Sequence, residues 1–493
     1  MEYFSTRNAG ERITASQAIV NGLAPDGGLY VPAEFPAVDR EELSALCGMD
    51  YRGRAERIIG KFLSDYTAAE IRDIVAAAYG ANYDDPATAP TRFVGPATGF
   101  LELWHGPTSA FKDMALQMLP HLMTASLRKC GETRGVCILV ATSGDTGKAA
   151  LEGFADVPGT KILVFYPRDG VSDVQKLQMV TQTGKNVGVC AVAGNFDDAQ
   201  SGVKAIFGDT ALAAELSARG WFLSSANSIN WGRLLPQIVY YFSAYCDFVN
   251  SGRIGLGEAL TFSVPTGNFG DILAGWYAKQ MGLPVGRFVC ASNANNVLTE
   301  FISTGVYDRN RPFYTTISPS MDILVSSNLE RLLYAVTGSD AEVADYMRRL
   351  KETGRYEVGP AVLEAVRRDF AAYFCDDAET KAVIAKVWSE NGYLMDTHTA
   401  VGYKALCDYR AATGDQTPAA VVSTASPFKF CDSVLAALGE DTAAPGTALI
   451  EKLEQKTGIP APAPLRGLAG KPVRFKDYVE KDRMRSVVEE FLS

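Results

Sequence analysis

Lys112, the turn Thr266–Asp271 and the pair Ser423-Thr424 are the residues of this chain whose types and settings could do chemistry together. Lys112 lies in HGPTSAFKDMALQMLP (His105–Pro120), where a Gly-Pro turn leads into an expected amphipathic helix. Phe111 precedes it, and Met114, Ala115 and Met118 follow. Near a helix start the dipole disfavours an ammonium ion, and partial burial acts in the same direction. The neutral amine that results is the form that condenses with an aldehyde. Residue context alone equally allows Lys112 to be a solvated, idle lysine with Asp113 as a neighbouring surface charge.

Three glycine-rich turns stand between apolar β runs and helices. SGDTGKA (Ser143–Ala149) fails as a nucleotide P-loop. Thr142 stands where the first glycine must be, and Ala149 where a hydroxyl must follow Lys148. It reads as an ordinary strand-to-helix turn or as a carboxylate-binding turn, with Ser143, Gly144, Asp145 and Thr146 offering hydroxyls and helix-start amides to a small anion. AGNFDD (Ala193–Asp198) and TGNFGD (Thr266–Asp271) are near duplicates. Asp197 and Asp198 would repel a dianion from the first, which reads as a capped helix. The second has Gly267 and Gly270 for close backbone approach and only Asp271 as an acid, so a phosphate is expected at Gly267–Gly270.

An amine for an aldehyde, a turn for a phosphate and a late-strand hydroxyl for a pyridine nitrogen are the three contacts that pyridoxal 5'-phosphate needs. A hydroxyl at the ring nitrogen, in place of a carboxylate, moderates the electron sink and suits elimination and replacement chemistry better than transamination.

The elements that must position these residues follow from periodicity. Val136–Ala141, Ile162–Tyr166 and Val187–Val192 read as strands, with a helix at Ser172–Gln182. A second round has a helix at Gln237–Phe248, a strand at Ala259–Val264, a helix at Ile272–Met281 and a late strand at Val421–Thr424. Strands alternating with helices predict parallel sheets covered on both faces. Pro460, Pro462 and Pro464 mark an extended linker, and Met484, Val487, Val488 and Phe491 form one face of a closing helix. The expected segments are 1–95, an N-terminal domain; 96–245, an α/β domain with the lysine and the SGDTG turn; 246–445, an α/β domain with the phosphate turn; and 446–493, a linker and helix.

Composition narrows the function classes. Of 493 residues, 47% are hydrophobic and 21% charged, which permits a sizeable core and excludes wholesale disorder. The net charge of −10, without a Lys/Arg block, argues against a nucleic-acid partner. Nine cysteines contain no CxxC pair, and the histidines are only His105, His121 and His398, so no metal site is expected. Free thiols, a charged N-terminus and no long apolar run lead to the expectation of a cytoplasmic protein without membrane contact.

Seven strings resemble, in order, those of the threonine synthase family: GLAPDGGLYVP, HGPTSAFKD, TSGDTGKAA, SANSINWGR, PTGNFGD, SPSMDILVSSNLERLL and DTHTAVGY. The likeness runs from Ser5 into the C-terminal region and is closer to the longer, bacterial and fungal branch. It implies an α/β, tryptophan-synthase-β-like (fold type II) pyridoxal phosphate enzyme with two open α/β domains plus an N-terminal domain. The implied reaction is a lyase step converting O-phospho-L-homoserine and water into L-threonine and phosphate, by a monomer or homodimer. Carried over, Lys112 forms the Schiff base. Gly267, Asn268, Phe269, Gly270 and Asp271 match the cofactor-phosphate loop, and Thr424 matches the hydroxyl facing the ring nitrogen. The substrate carboxylate is expected on Ser143–Thr146. The substrate phosphate is expected on Asn227, Ser228, Asn230 and Arg233, with Ser326, Ser327 and Asn328 assisting, because arginine offers phosphate a bidentate fork. Arg233 could instead pair with a surface acid. His105 and His398 read as packing or supporting residues. Thr397 and Ser426 depart from the family's usual Pro and His, so no role of that loop histidine carries over. A dehydratase of the same fold, the nearest alternative, would not need the second phosphate pocket.

Overall fold

In the computed structural model, which describes residues 1–142, 144–168 and 171–493, two mainly parallel sheets carry the chain. The larger has six strands in the order Phe370–Phe374, Val285–Ser292, Leu260–Pro265, Ala419–Ser423, Thr98–Glu102 and Thr91–Val94. Its first five strands are parallel, and the Thr91–Val94 edge is antiparallel. The smaller has five parallel strands in the order Tyr478–Val479, Val187–Val192, Thr160–Pro167, Gly135–Ala141 and Trp221–Ser224. Central strands are buried along nearly their whole length, as sheets with helices on both faces require.

The expected strands and helices are all present, with ends shifted by a residue or a few. The closing helix is Met484–Phe491, with Met484 and Val488 buried. Asn195 caps the helix Phe196–Phe207 in a reciprocal box with Asp198, so the first AGNFDD copy is a capped helix. The N-terminal part holds the antiparallel strands Asn8–Ile13, Tyr3–Ser5 and Tyr30–Pro32 and the helices Tyr51–Phe62 and Ala68–Ala78. Arg7 and Thr6 fasten it to the body through Glu330.

Sheet membership cuts across the linear segments. Thr98–Glu102, at the start of the 96–245 segment, lies in the large sheet beside Ala419–Ser423. Tyr478–Val479, from the C-terminal linker, adds an edge strand to the small sheet. Parallel pairing between strands remote in sequence leaves no local signal, because the strand pattern is the same whichever partner is chosen. Among the described residues no helix is long and apolar enough to cross a membrane, and no three His, Cys, Asp or Glu side chains gather where they could hold a metal ion.

The crossover of Thr98–Glu102 onto the late strand sets the lysine. Leu103 N–H donates to Ser423 O, Phe111 N–H to Thr424 O at 2.7 Å, and Ser426 N–H to Ser109 O, while Ala110 bridges Ala425. Segments more than 300 residues apart in sequence are thereby zipped together immediately before Lys112. From the other side, the helix Asp145–Phe154 presses on the helix Asp113–Leu116 at Gly153, where a Cβ would lie 2.0 Å from Leu116 O. Gly153→Ala is therefore expected to lower stability by about 1–3 kcal/mol, the usual cost of overpacking. A lowered urea unfolding midpoint would show it, and an unchanged midpoint would mean the two helices are free to separate.

Candidate functional site

Lys112 opens the four-residue helix Asp113–Leu116, as the sequence suggests, and is buried. Its Nζ lies 3.4 Å from Ser320 Oγ and 3.8 Å from Asp145 Oδ2. Burial pushes its pKa down to about 8; the Arg233 and Lys429 cations act in the same direction, and Asp145 and Asp113 oppose. Asp113 is not a surface charge. Its carboxyl accepts the Thr108 N–H and O–H, each at 2.8 Å, and burial raises it to about 7.

The glycine turn leaves the strand Leu260–Pro265 and enters the helix Gly270–Gln280. Phe269 takes the left-handed region at φ 62°, and a Cβ on Gly267 would lie 2.8 Å from Ser320 O. The turn's carbonyls are pinned from one side. Ser326 Oγ donates to Gly267 O at 2.7 Å, and the backbone and side-chain N–H groups of Asn328 both donate to Asn268 O. The first N–H groups of the helix have no intrahelical acceptors and are available to an anion. Gly267, Asn268, Phe269 and Gly270 form this turn from strand to helix.

Asp271 requires a correction. Its Oδ1 accepts from Tyr240 at 2.6 Å and Tyr241 at 2.7 Å, its Oδ2 is buried without a hydrogen-bond partner among the described residues, and burial raises the carboxyl to about 6. A carboxylate held by two tyrosines offers a phosphate no donor, so only the Asp271 backbone N–H is suited to one.

At the second turn, Ser143 lies outside the described residues. Thr142 Oγ1 accepts the N–H groups of Gly144 and Gly147, both at 3.0 Å. Gly144 has φ 148°, and a Cβ there would meet the Gln175 amide at 2.5 Å. Thr146 is half-buried in the first helical turn. Asp145 again differs from expectation. Its buried Oδ1 pairs with Lys429 at 2.8 Å and accepts from Gln175 at 2.9 Å, while Oδ2 faces Lys112. Burial opposes ionisation, yet the two lysines hold this carboxyl well below the usual range. An anion in this position repels a carboxylate ligand and stabilises cations instead.

The SANSINWGR segment divides by role. Asn227 is exposed and Ser228 half-buried. Asn230, expected to meet a phosphate, is used by the fold: its Oδ1 caps Gly232 N–H and its Nδ2 donates to Ile19 O. Arg233 is fully enclosed, and its Nη1 donates to Ala226 O at 2.8 Å. Among the described residues no carboxylate pairs with it, so the surface-acid reading fails; burial lowers its pKa to about 10. Ser326 and Asn328 brace the glycine turn with their side chains, and Asn328 Nδ2 also donates to Ser228 Oγ at 3.2 Å. Ser327 is half-buried.

Three supporting residues escaped sequence reasoning. Lys429 is buried between Asp145 and Thr108 O, and its only signal was a lysine flanked by phenylalanines in SPFKF. Arg331 spans Tyr30 O, Ile229 O and Asn328 Oδ1. Ser320 is held by its N–H on His398 Nε2 at 3.2 Å, with Asp396 on Nδ1 of the same imidazole. His398 therefore supports the site. In His105, burial opposes protonation but Asp84 and Glu102 raise the pKa to about 9. Thr397 donates to Ile317 O, and Ser426 Oγ caps Phe428 N–H, so both departures from the family pattern have structural partners. Thr424 is buried where its carbonyl holds the lysine segment.

This arrangement fits a phosphorylated aldehyde cofactor. It offers a buried amine with a lowered pKa and, across Ser320, a glycine-lined helix start where a side chain would close the approach.

Comparison with known proteins agrees. Residues 2–79 match the family model "Threonine synthase N terminus", 100–370 match "Pyridoxal-phosphate dependent enzyme", and 399–488 match "Threonine synthase, C-terminal". The chain is 40% identical to the Pseudomonas aeruginosa threonine synthase, over 93% of this chain and 96% of that one. It is 42% identical to human threonine synthase-like 1, over 86% of this chain, and spans 58% of that protein's length. A pyridoxal-phosphate-bound threonine synthase from Brucella melitensis superimposes with a TM-score of 0.88 at 38% identity, covering 100% of this chain and 98% of that one.

The lowered Lys112 pKa has a direct readout. In cofactor-free protein, acylation of Lys112 by an amine-selective reagent is expected to rise with pH through a midpoint near 8. A midpoint near the ordinary lysine value of about 10.4 would mean that burial does not favour the neutral amine.

Proposed function

The chain belongs to the threonine synthase family, and from that premise we propose that it converts O-phospho-L-homoserine and water into L-threonine and phosphate, using pyridoxal 5'-phosphate. The observation that carries this reading is the pairing of a buried amine, Lys112, with a separate buried guanidinium, Arg233, that has no carboxylate partner among the described residues. One cation serves covalent chemistry. The other serves a second anion, which a dehydratase substrate would not bring.

Lys112 would hold the cofactor aldehyde, the N–H groups from Gly267 to Asp271 its phosphate, and the Thr424 hydroxyl its ring nitrogen. Once bound, the cofactor supplies an electron sink for carbanion chemistry next to the substrate amine. The remaining work falls to the protein. The substrate carboxylate is received by the helix-start amides of Asp145 and Thr146, where Thr142 fixes the loop by accepting the Gly144 and Gly147 N–H groups. Arg233, with Ser228 and Asn227 at the more open side, receives the phosphate ester, where a guanidinium fork forms charge-assisted hydrogen bonds. Lys112 Nζ takes the proton from substrate Cα and serves again at Cβ. A base whose pKa is about 8 is close to matched for moving protons in both directions near neutral pH. Asp145 Oδ2, 3.8 Å away, steadies the ammonium each time it forms. Burial of Lys112 keeps water away from the reacting carbons until the added water is needed at Cβ. All nine cysteines are free thiols, which supports placing the enzyme in the cytoplasm.

The holoenzyme is expected to release phosphate and L-threonine in equal amounts from O-phospho-L-homoserine, and Lys112→Ala to release neither. Arg233→Met should lower kcat/KM by about 10- to 100-fold, the worth of a hydrogen bond to a charged group at ~1.5–3 kcal/mol. No phosphate from the unaltered protein would refute the activity. An unchanged kcat/KM in Arg233→Met would place the phosphate pocket elsewhere.

A further inference from the structure

Far from the lysine, the N-terminal helix Arg40–Cys47 packs against the helix Gln237–Asn250. On the longer helix Ser243, Cys246, Asp247 and Asn250 share one face, at spacings of three and four residues. Two hydrogen bonds fasten that face to the end of the shorter helix. Asn250 Nδ2 donates to Cys47 O at 2.9 Å, and Arg54 joins Leu46 O at 3.0 Å to Ser243 Oγ at 2.7 Å. Cys246 lies on that face between Ser243 and Asn250, which are bonded to the Leu46–Cys47 end of the shorter helix through Arg54 and directly, so the two cysteines are brought close and each shifts the other's pKa. Asp247, on the same face, lies 3.7 Å from Arg54.

We propose that Cys47 and Cys246 form an oxidisable dithiol, in which a hydroperoxide attacks Cys47 and Cys246 closes a reversible disulfide. The Cys47 thiolate would displace one peroxide oxygen. The O–O bond breaks, sulfur is oxidised to the sulfenic acid by two electrons, and peroxide is reduced to water. Cys246 sulfur then attacks the sulfenic sulfur. The S–O bond breaks, and the departing hydroxide leaves as water with the Cys246 proton. Two thiols and one hydroperoxide yield one disulfide, water and the reduced oxygen partner, and a dithiol reductant reverses the bond by exchange.

The charges facing the pair assign the roles. The hydrogen bond from Cys246 and the Arg54 cation lower the Cys47 thiol to about 7, against burial and Asp247. Cys246 is raised because its proton is shared with Cys47 and because it is buried. Cys47 is also the half-exposed member, so the thiolate is the one a peroxide can reach. Exposure alone ranks the cysteines differently. Cys130 and Cys407 are exposed, but burial of their sulfurs raises both thiols, with no Arg-paired thiol partner beside them.

The test uses the full-length native chain, treated with hydrogen peroxide, quenched, alkylated and mapped by mass spectrometry. Two of the nine thiols should disappear into a Cys47–Cys246 linked peptide before Cys130 or Cys407 is oxidised, and dithiothreitol should restore them. In Cys246→Ser, dimedone should trap a sulfenic acid on Cys47. In Cys47→Ser, Cys246 should remain a thiol. Faster oxidation of Cys130 or Cys407, a cross-link to any other cysteine, or the first adduct on Cys246 would overturn the proposal. Because the unaltered protein gives the primary readout, misfolding of a variant would not decide it.

Discussion

One buried carboxylate faces two buried amines, and the chemistry of the site depends on how unequally it serves them. Asp145 gives Lys429 a direct contact at 2.8 Å and leaves Lys112 at 3.8 Å. Lys429 also has the Thr108 carbonyl, so its charge is paired and hydrogen-bonded. Lys112 has the more distant Asp145 oxygen, the Ser320 hydroxyl and the Phe111 ring face at 4.8 Å against its own burial and the repulsion of Arg233 and Lys429. A single anion between two lysines can fully compensate only one. The other is left a poor cation, which is the state a Schiff-base lysine needs. Breaking a buried pair of this kind typically costs about 3–5 kcal/mol, because the remaining charge stays buried. The same cluster therefore anchors the fold and tunes the amine.

Holding that geometry falls to segments remote in sequence. Ala110–Phe111 and Thr424–Ala425 are zipped by main-chain bonds, and the helix bearing Asp145 presses on the lysine helix at Gly153. The glycine turn is likewise braced from behind by Ser326 and Asn328, with Arg331 tying that brace to Tyr30 and Ile229. Several hydroxyl and amide groups expected to contact substrate are instead bonded to the backbone of the glycine turn and its neighbours. Polar side chains near an anion site can act in either layer, and composition does not distinguish them.

What was legible in the sequence follows the same division. Local pattern located Gly135–Ala141, Thr160–Pro167, Val187–Val192, Leu260–Pro265 and Ala419–Ser423 and the lysine at a helix start, since periodicity and glycine placement are properties of short segments. The strands Thr98–Glu102, Val285–Ser292 and Phe370–Phe374 went unread. Gly267 was readable because close backbone approach admits no other residue. Asp271 and Asp145 were misread because an acid at a helix start looks the same whether it faces solvent, a ligand or two tyrosines. Lys429 was missed because its partner lies almost 300 positions earlier in the chain. Charge pairing across a parallel sheet depends on strand order, which short-range pattern does not encode.

Arg233 shows how the two kinds of information combine. Its residue type suggested a phosphate, and a surface ion pair was an equally ready explanation. Burial argues against the surface pair. A guanidinium withdrawn from water without a carboxylate raises the energy of the ligand-free protein, and it is tolerated where an anion from outside will complete the pairing. Burial lowers the pKa of Lys112, and the Arg233 cation, near enough to be felt, lowers it further. Under the proposed activity, the residue assigned to the phosphate ester thus also lowers the pKa of the base, so selection of a phosphorylated substrate and activation of the amine would arise from one buried charge.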